Sequence, residues 1–457
     1  MPSQGQAAGP LDRHATPPLP IEIGFLTGHG VSAGTLYHAA FLAVIAGVHA
    51  DEVLIRHGFV SENVFYRALA RELDVPFARR PRLGRSAHYP NSILAGLVPH
   101  ADGGRFVAAP QGARIARLLA SRRLRESPLV ITTPTALAAA VFRSRGRTIA
   151  YRAAYDLPDQ APNLSISRGA YMRQFVGALG LVAALSFILI LAPGTALPLL
   201  GTVLGVVFLA MVLLRLSPVL RYNPIEPAGP LLRTPDAALP VYTVIVALHR
   251  ERRVVAQLVA ALEALDYPRT KLDIKLVLEA HDAETRLALS LLDLPPFMEV
   301  LVVPPGLPRT KPRALNVGLS LARGQFTVVY DAEDIPDPRQ LRLAVATFAS
   351  QPRDVACLQA RLTIDNTDDT WLTRFFTMEY AALFDVINPG LAAFGFPIPL
   401  GGTSNHFRTA VLQAIGGWDA WNVTEDADLG IRLARLGYRT GDLPLSTWEE
   451  APLHLKA

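Results

Sequence analysis

From residue 241 onward, short unbroken runs of aliphatic and β-branched residues alternate with stretches where apolar positions recur every three or four residues. VYTVIVAL (241–248) is one such run, the pattern of a strand buried on both faces of a sheet. Val254, Leu258, Leu262 and Leu265 then fall on one side of a helix. The same alternation predicts strands over 272–279, 300–303, 326–330 and 355–358. An α/β domain with a mostly parallel, Rossmann-like sheet covered by helices follows for residues 240–457. Ligands of such sheets bind at the carboxyl ends of the strands.

Upstream the pattern is different. Segments 175–192 and 196–214 carry no charge, and each is near the length needed to cross a hydrocarbon core. Only Pro193-Gly194-Thr195 separates them, which predicts a transmembrane helical hairpin over 174–215. A buried hairpin in a soluble core would keep a polar face, and neither segment has one. Arg168 and Arg173 precede the hairpin and Arg215, Arg221 and Arg233 follow it, so both ends are expected in the cytoplasm. The expected location is a bacterial inner membrane, as a multi-pass protein with both soluble domains cytoplasmic. Residues 216–239 read as a Pro-rich linker, and 1–30 as a flexible leader in which Pro17, Pro18 and Pro20 are punctuation. Residues 31–160 read as a small α/β regulatory or docking domain. Its clearest stretch predicts two helices turning at Gly58, the second capped by Ser61 and buried along Phe65, Leu69 and Leu73.

Composition sharpens this picture in three ways. Half of the 457 residues are hydrophobic and only 18% are charged, values that favour a membrane segment. The net charge of +5 is mostly arginine, much of it before residue 175; with no nucleic-acid-binding motif present, anionic lipid is the expected partner of that surface and nucleic acid is not. Cys357 is the only cysteine, which excludes an intrachain disulfide or cysteine-zinc site and suits a reducing compartment. The polar N-terminus, MPSQGQAAGPLDRH, is not a secretory signal peptide.

Candidate chemistry lies at the strand ends. FTVVYDAEDIPDP closes a predicted strand with Asp331 and Glu333, two apart and so on one face of extended backbone. Mg2+ takes one or two such carboxylates plus substrate phosphates, although an acid-rich turn can also be merely solvated, as Asp368-Asp369 is read to be. In NVTEDADLGIRLARLGYRT, Thr424 is the expected N-cap, Leu429, Leu433 and Leu436 the buried stripe, and Gly437 the stop. Glu425 and Asp426 then occupy the first turn, where acids either complement the helix dipole or project a general base. Lys311-Pro312-Arg313 opens another helix, either a phosphate-holding start or a solvated basic turn.

In this order, PVYTVIVALHRE, KLVLEAHDAET, TKPRALNVGL, VVYDAEDIPDP, PLGGTSNHFRT and GGWDAWNVTEDADLGIRLARLGYRT resemble family-two inverting glycosyltransferases, especially the membrane-embedded, cellulose synthase-like branch. The resemblance implies a GT-A-like fold and a Mg2+ or Mn2+ ion held by Asp331 and Glu333, with Asp334 close by. It implies Asp426 as catalytic base, and Glu425, Gly401, Gly402, Thr403 and Ser404 around the acceptor end of the cleft. Glu279 and Asp282, with Ala247, His249 and Glu251 of the first loop, would meet the nucleotide, and Lys311 and Arg313 the diphosphate. His249-Arg250-Glu251 departs from the family's usual Asn-Glu ending. The donor would be a nucleoside-diphosphate sugar, UDP-sugars foremost, and the acceptor a glycan or a lipid-linked acceptor in exopolysaccharide or cell-surface polysaccharide synthesis. The family's Gln-x-x-Arg-Trp motif and the helices after it are not in the sequence, so a C-terminally truncated chain is expected. A catalytically incomplete, ligand-sensing membrane subunit is the alternative, and a nucleotidyltransferase a further rival that the Thr-Glu-Asp helix opposes. HADEVLIRHGFVSENVFYRALARELDVPF and PLVITTPTALAAAVFRSRG resemble the N-terminal domain of type II secretion ATPases, some of which bind cyclic di-GMP. His49 and Gly58 fit that pattern while Ala50 and Asp51 depart from it, leaving cyclic di-GMP or a partner protein as this domain's expected ligand.

Overall fold

The computed structural model describes residues 17–121, 128–169, 172–221 and 234–454. The N-terminal unit packs helices α1 (Ala33–Ala46), α2 (Ala50–Arg56) and α3 (Glu62–Glu72) beside a small sheet. Its strands are β1 (Leu97–Pro99), β2 (Phe106–Ala108) and β3 (Leu129–Ile131), in that order. Ser61 caps α3 as expected, its Oγ accepting the Val64 N–H at 3.4 Å. Phe65, Leu69 and Leu73 are buried along the helix. The leader is shorter than expected: Ile21–Gly24 and Phe25–His29 are helical, because Ile23 and Leu26 are apolar enough to enter this core. Residues 1–16 lie outside the described part.

Helix α4 (Pro134–Gln160), bent at Arg145, carries the chain into the second unit. The boundary expected at 160 is not a loose joint. Val141, Ile149 and Ala153 of α4 share one core with Ile245, Val277 and Leu315 of the large sheet and its helices. Polar ties reinforce that packing: Tyr89 Oη donates to Val317 O at 3.1 Å, Trp421 Nε1 to Ala154 O at 3.0 Å, and the Ile166 N–H to Asp419 Oδ2 at 2.8 Å.

Helices α5 (Met172–Leu191) and α6 (Pro193–Leu216) form the hairpin, both long and apolar enough to span a membrane. The turn is tighter than the expected three residues. Pro193 already starts α6, since proline's fixed φ and missing N–H suit a first helical turn. Their apolar side chains point outward, and none of the described residues covers them. The side chains of Arg173 and Arg221, and residue Arg233, lie outside the described residues.

The large sheet comprises β4 (Tyr242–Leu248), β5 (Leu272–Glu279), β6 (Met298–Val303), β7 (Phe326–Tyr330), β8 (Ile335–Pro336), β9 (Val355–Ile364), β10 (Asn405–Arg408) and β11 (Arg439–Glu449). Its order is β6-β5-β4-β7-β10-β9-β11-β8. The first four strands are parallel, as their β-branched runs predicted. The sheet as a whole is mixed yet mostly parallel, as expected, with six of its eight strands running in one direction. β10 runs antiparallel to both β7 and β9, and β8 antiparallel to β11. Seven helices bear on the site or cover the sheet: α7 (Val255–Glu263), α8 (Ala283–Ser290), α9 (Lys311–Ser320), α10 (Gln340–Ser350), α11 (Trp371–Tyr380), α12 (Thr409–Ala414) and α13 (Glu425–Arg435).

Candidate active site

Strand β7 delivers the chain to Asp331, and the backbone turns there instead of continuing extended. The Asp331 N–H donates to Asp334 Oδ2 at 2.7 Å and to Thr403 Oγ1 at 3.2 Å, and the Asp334 N–H returns to Asp331 O at 3.4 Å. Asp331 and Glu333 therefore meet the cleft from a turn, not from one face of a strand. Glu333 is exposed, while Asp334 is buried and also accepts from Thr403 Oγ1. Burial, and then the neighbouring Asp331, push the Asp334 carboxyl up to about 7. Its Oδ1 is buried with no hydrogen-bond partner. Glu449, at the end of β11, joins this group: burial, then Asp334, Asp331 and Glu333, push it up to about 8. Carboxylate oxygens without nitrogen or sulfur suit a hard cation, and an orphaned buried oxygen beside them fits the same chemistry. Asp331, Glu333 and Asp334 are the residues that could hold it.

Lys311, at the start of α9, pairs with Asp331 and donates to Gly402 O at 3.0 Å. Burial would lower its ammonium, but Asp331, Glu425 and Asp334 outweigh that and hold it above the ordinary lysine range. Gly402 is the meeting point of the site. A side chain placed there would lie 3.4 Å from Asp426 Oδ2 and 3.9 Å from Asp331 Oδ2. Asp426 stands in the first turn of α13, with Oδ1 accepting the Ala427 N–H at 2.7 Å. Helix α13 comes this close because residue 430 is glycine: any side chain there would collide with the Ile398 carbonyl and the Leu400 amide, in the segment leading to Gly401. Glu425 is buried, and burial raises its carboxyl while Lys311 lowers it. Thr424 sits at the N-cap but makes no capping bond; its Oγ1 lies 3.1 Å from Asn422 Oδ1 instead. Of the expected stripe, Leu429 and Leu433 are buried, but Leu436 is exposed where the helix ends before Gly437.

The other predicted residues divide into two sets. Gly401 donates its N–H to Gln359 Oε1 at 2.9 Å, while Thr403 and Ser404 are buried and brace the loop, Ser404 Oγ lying 2.6 Å from Thr447 Oγ1. On the nucleotide side, Asp282 caps α8 and accepts the Arg250 N–H at 2.6 Å and the Thr285 N–H at 3.1 Å. Those bonds hold its carboxyl below the usual range although burial pushes the other way. The Glu251 N–H donates to Thr285 Oγ1 at 2.9 Å, so the loop following Ala247 is tied to α8. The rings of His249 and His281 lie 5.4 Å apart. Burial, then Glu333 and Asp331, raise the Glu251 carboxyl, which puts that loop beside the acids.

Arg313 corrects its expectation. It is fully buried, with Nη2 bonded to both Glu279 oxygens at 2.8 and 2.9 Å and Nη1 to Pro304 O at 3.1 Å. It presents no open guanidinium to a diphosphate, and Glu279 is engaged from behind. Glu449 is the residue that the sequence reading missed. Its signal, the polar–apolar alternation of TGDLPLSTWE, was readable as a strand but not as reaching the acids.

Residues 238–452 match the family model described as glycosyltransferase like family 2. Among curated relatives, a probable glycosyltransferase of Bacillus subtilis, YdaM, is 27% identical over 217 residues, which is 47% of this chain and 51% of the relative. The beta-monoglucosyldiacylglycerol synthase of a Synechocystis strain is 30% identical over 48% of this chain and 46% of its own. Glucomannan 4-beta-mannosyltransferase 1 of rice is 26% identical over 56% and 50%, respectively. The chain spans about half the length of these curated relatives. A mannosyltransferase of Pyrobaculum calidifontis, solved with GDP-Man and Mn2+, overlays at a TM-score of 0.39 and 24% identity, over 53% of this chain and 68% of that one. Residues 238–452, which carry the whole of the acidic cleft, are thus similar to glycosyltransferases of family 2.

Proposed function

We propose that this protein is a membrane-bound, inverting hexosyltransferase that moves a sugar from a nucleoside-diphosphate sugar to a glycan or lipid-linked acceptor. The observation carrying the proposal is the juxtaposition at Gly402: a candidate base on one side and a candidate cation-holding acid on the other. Asp426 Oδ2 takes the proton of the acceptor hydroxyl as that oxygen attacks the anomeric carbon. The bond to the nucleoside diphosphate breaks on the opposite face, so an α-linked donor yields a β-linked product. Asp331 and Glu333 would hold a Mg2+ or Mn2+ ion, which would supply Lewis-acid stabilisation of the leaving diphosphate. Lys311, beside Asp331, would offer its ammonium to the charge that develops on the diphosphate. Asp282 holds the loop of His249 and Glu251 in place for the nucleotide.

The exposed apolar hairpin supports a membrane location with both soluble units on one side. The end of α6 lies against the segment after α11, since a side chain on Gly390 would collide with Pro218. Helix α11 also leaves Trp371, Phe375 and Met378 exposed, an apolar face that suits a site at the lipid surface. Mannosyl and glucosyl transfers are named for the relatives, which favours a hexose donor and either a β-glycan or a diacylglycerol-type acceptor. For the N-terminal unit, the likeness to secretion-ATPase domains supports a docking or sensing role.

The test is metal-dependent release of nucleoside diphosphate by the solubilised chain, screened over UDP- and GDP-hexoses with each acceptor class. The proposal expects one donor to be consumed only with added Mg2+ or Mn2+, faster with a matching acceptor. No metal-dependent turnover or binding of any donor would overturn it.

A further inference from the structure

We propose that Glu22, His49 and Asp51 form a second divalent-cation site, in the N-terminal unit and separate from the transferase cleft. The three residues present one imidazole nitrogen and two carboxylate oxygens, all within 4.8 Å of one another. His49 Nδ1 lies 3.7 Å from Glu22 Oε1, and the Ala50 N–H reaches the same oxygen at 3.4 Å. Asp51 is the observation that asks for a ligand. It is only 1% exposed, with Oδ2 accepting the Gly112 N–H at 2.9 Å and Oδ1 buried without any donor. Among the described residues no lysine or arginine pairs with it, and Glu22 and Glu52 add negative charge nearby. An ionised carboxylate in such a place is costly unless a cation compensates it.

The surrounding backbone is shaped to the cluster. Gly112 adopts φ 54° and ψ −129°, and any side chain on it would collide with the His49 ring. Glycine therefore lets one loop hold Asp51 by its N–H and lie against His49 at once. His49 is half exposed, so an ion has a path from solvent. A mixed nitrogen and oxygen donor set favours Zn2+ and its transition-metal neighbours over Mg2+ or Ca2+, unlike the all-oxygen cleft. Once bound, the ion fastens the Ile21–Gly24 turn, which carries Glu22, to the start of α2.

The test uses the full chain in detergent, stripped with chelator, with Asp331→Asn and Glu333→Gln present to silence the cleft. Equilibrium dialysis against Zn2+ should leave about one bound ion per chain and raise the unfolding temperature. His49→Gln, at a half-exposed position that tolerates change, should weaken binding beyond the roughly 10–100-fold that a supporting residue costs. Asp51→Asn should do the same. Absence of bound Zn2+ in the cleft-silenced chain overturns the site. Undiminished binding in His49→Gln also overturns it, whatever Asp51→Asn does to folding.

Discussion

The residues that were hardest to assign are charged ones whose surroundings reverse the ordinary meaning of charge. Arg313 reads in sequence as a cation at a helix start, available to phosphate, yet it is sealed in a bidentate pair with Glu279. Removing one partner strands the other, so Arg313→Met should cost about 3–5 kcal/mol of stability. Pairing it with Glu279→Leu should recover much of that loss, and denaturant unfolding of the three variants measures the difference. A stable Arg313→Met chain with abolished donor binding would instead put Arg313 on the diphosphate. Lys311 shows the opposite situation, a lysine that does reach the acids. Lys311→Met should leave folding intact and weaken nucleoside-diphosphate binding by about tenfold or more, since an exchangeable charge-assisted bond of about 1.5–3 kcal/mol disappears. Titration of the nucleotide into parent and variant reads this directly.

Among elements, legibility followed hydropathy. β4, β5 and β7 are continuous apolar runs and were readable to within a residue or two. β10 was not, because Asn405 and His406 are polar yet buried, and His406 is satisfied by partners distant in sequence. His406 Nδ1 meets Tyr242 Oη at 2.7 Å and Nε2 meets Gln340 Oε1 at 3.1 Å, and burial pushes the imidazole down to about 3, so it is a neutral core residue. Such compensation is tertiary and leaves no periodic trace. The acids of the cleft were legible as residue types, while their arrangement was not, because the turn that Asp334 closes on Asp331 is braced by Thr403 from another loop. Helix α13 tests how finely elements position chemistry. Gly430→Val should push its first turn away from Gly402 and lower transfer by about a hundredfold, the scale of a misplacement near 1 Å. Donor affinity should change less than transfer, because the Asp331 N–H is held first by Asp334 of its own turn. Equal losses of binding and transfer would show that the helix supports the donor site as well.

The whole molecule joins three parts: an N-terminal unit, an apolar hairpin and a domain similar to family 2 glycosyltransferases. Helix α4 enters the core of the first through Leu137 and of the last through Val141, Ile149 and Ala153, so the two soluble parts should unfold together instead of in separate steps. The hairpin's uncovered apolar surface should hold the chain in membranes through a carbonate wash, and release of the intact chain would refute spanning. The central claim concerns one point in this assembly, where Asp426 and Asp331 flank Gly402. Its most direct measurement compares donor binding and sugar transfer in Asp426→Asn and Asp331→Asn. Loss of a general base should reduce transfer by about two to four orders of magnitude while metal-dependent donor binding persists in Asp426→Asn. Asp331→Asn should lose that binding itself, because a charged ligand to the cation becomes neutral. Parent-rate transfer by Asp426→Asn, or identical loss of donor binding in both variants, would contradict the assignment.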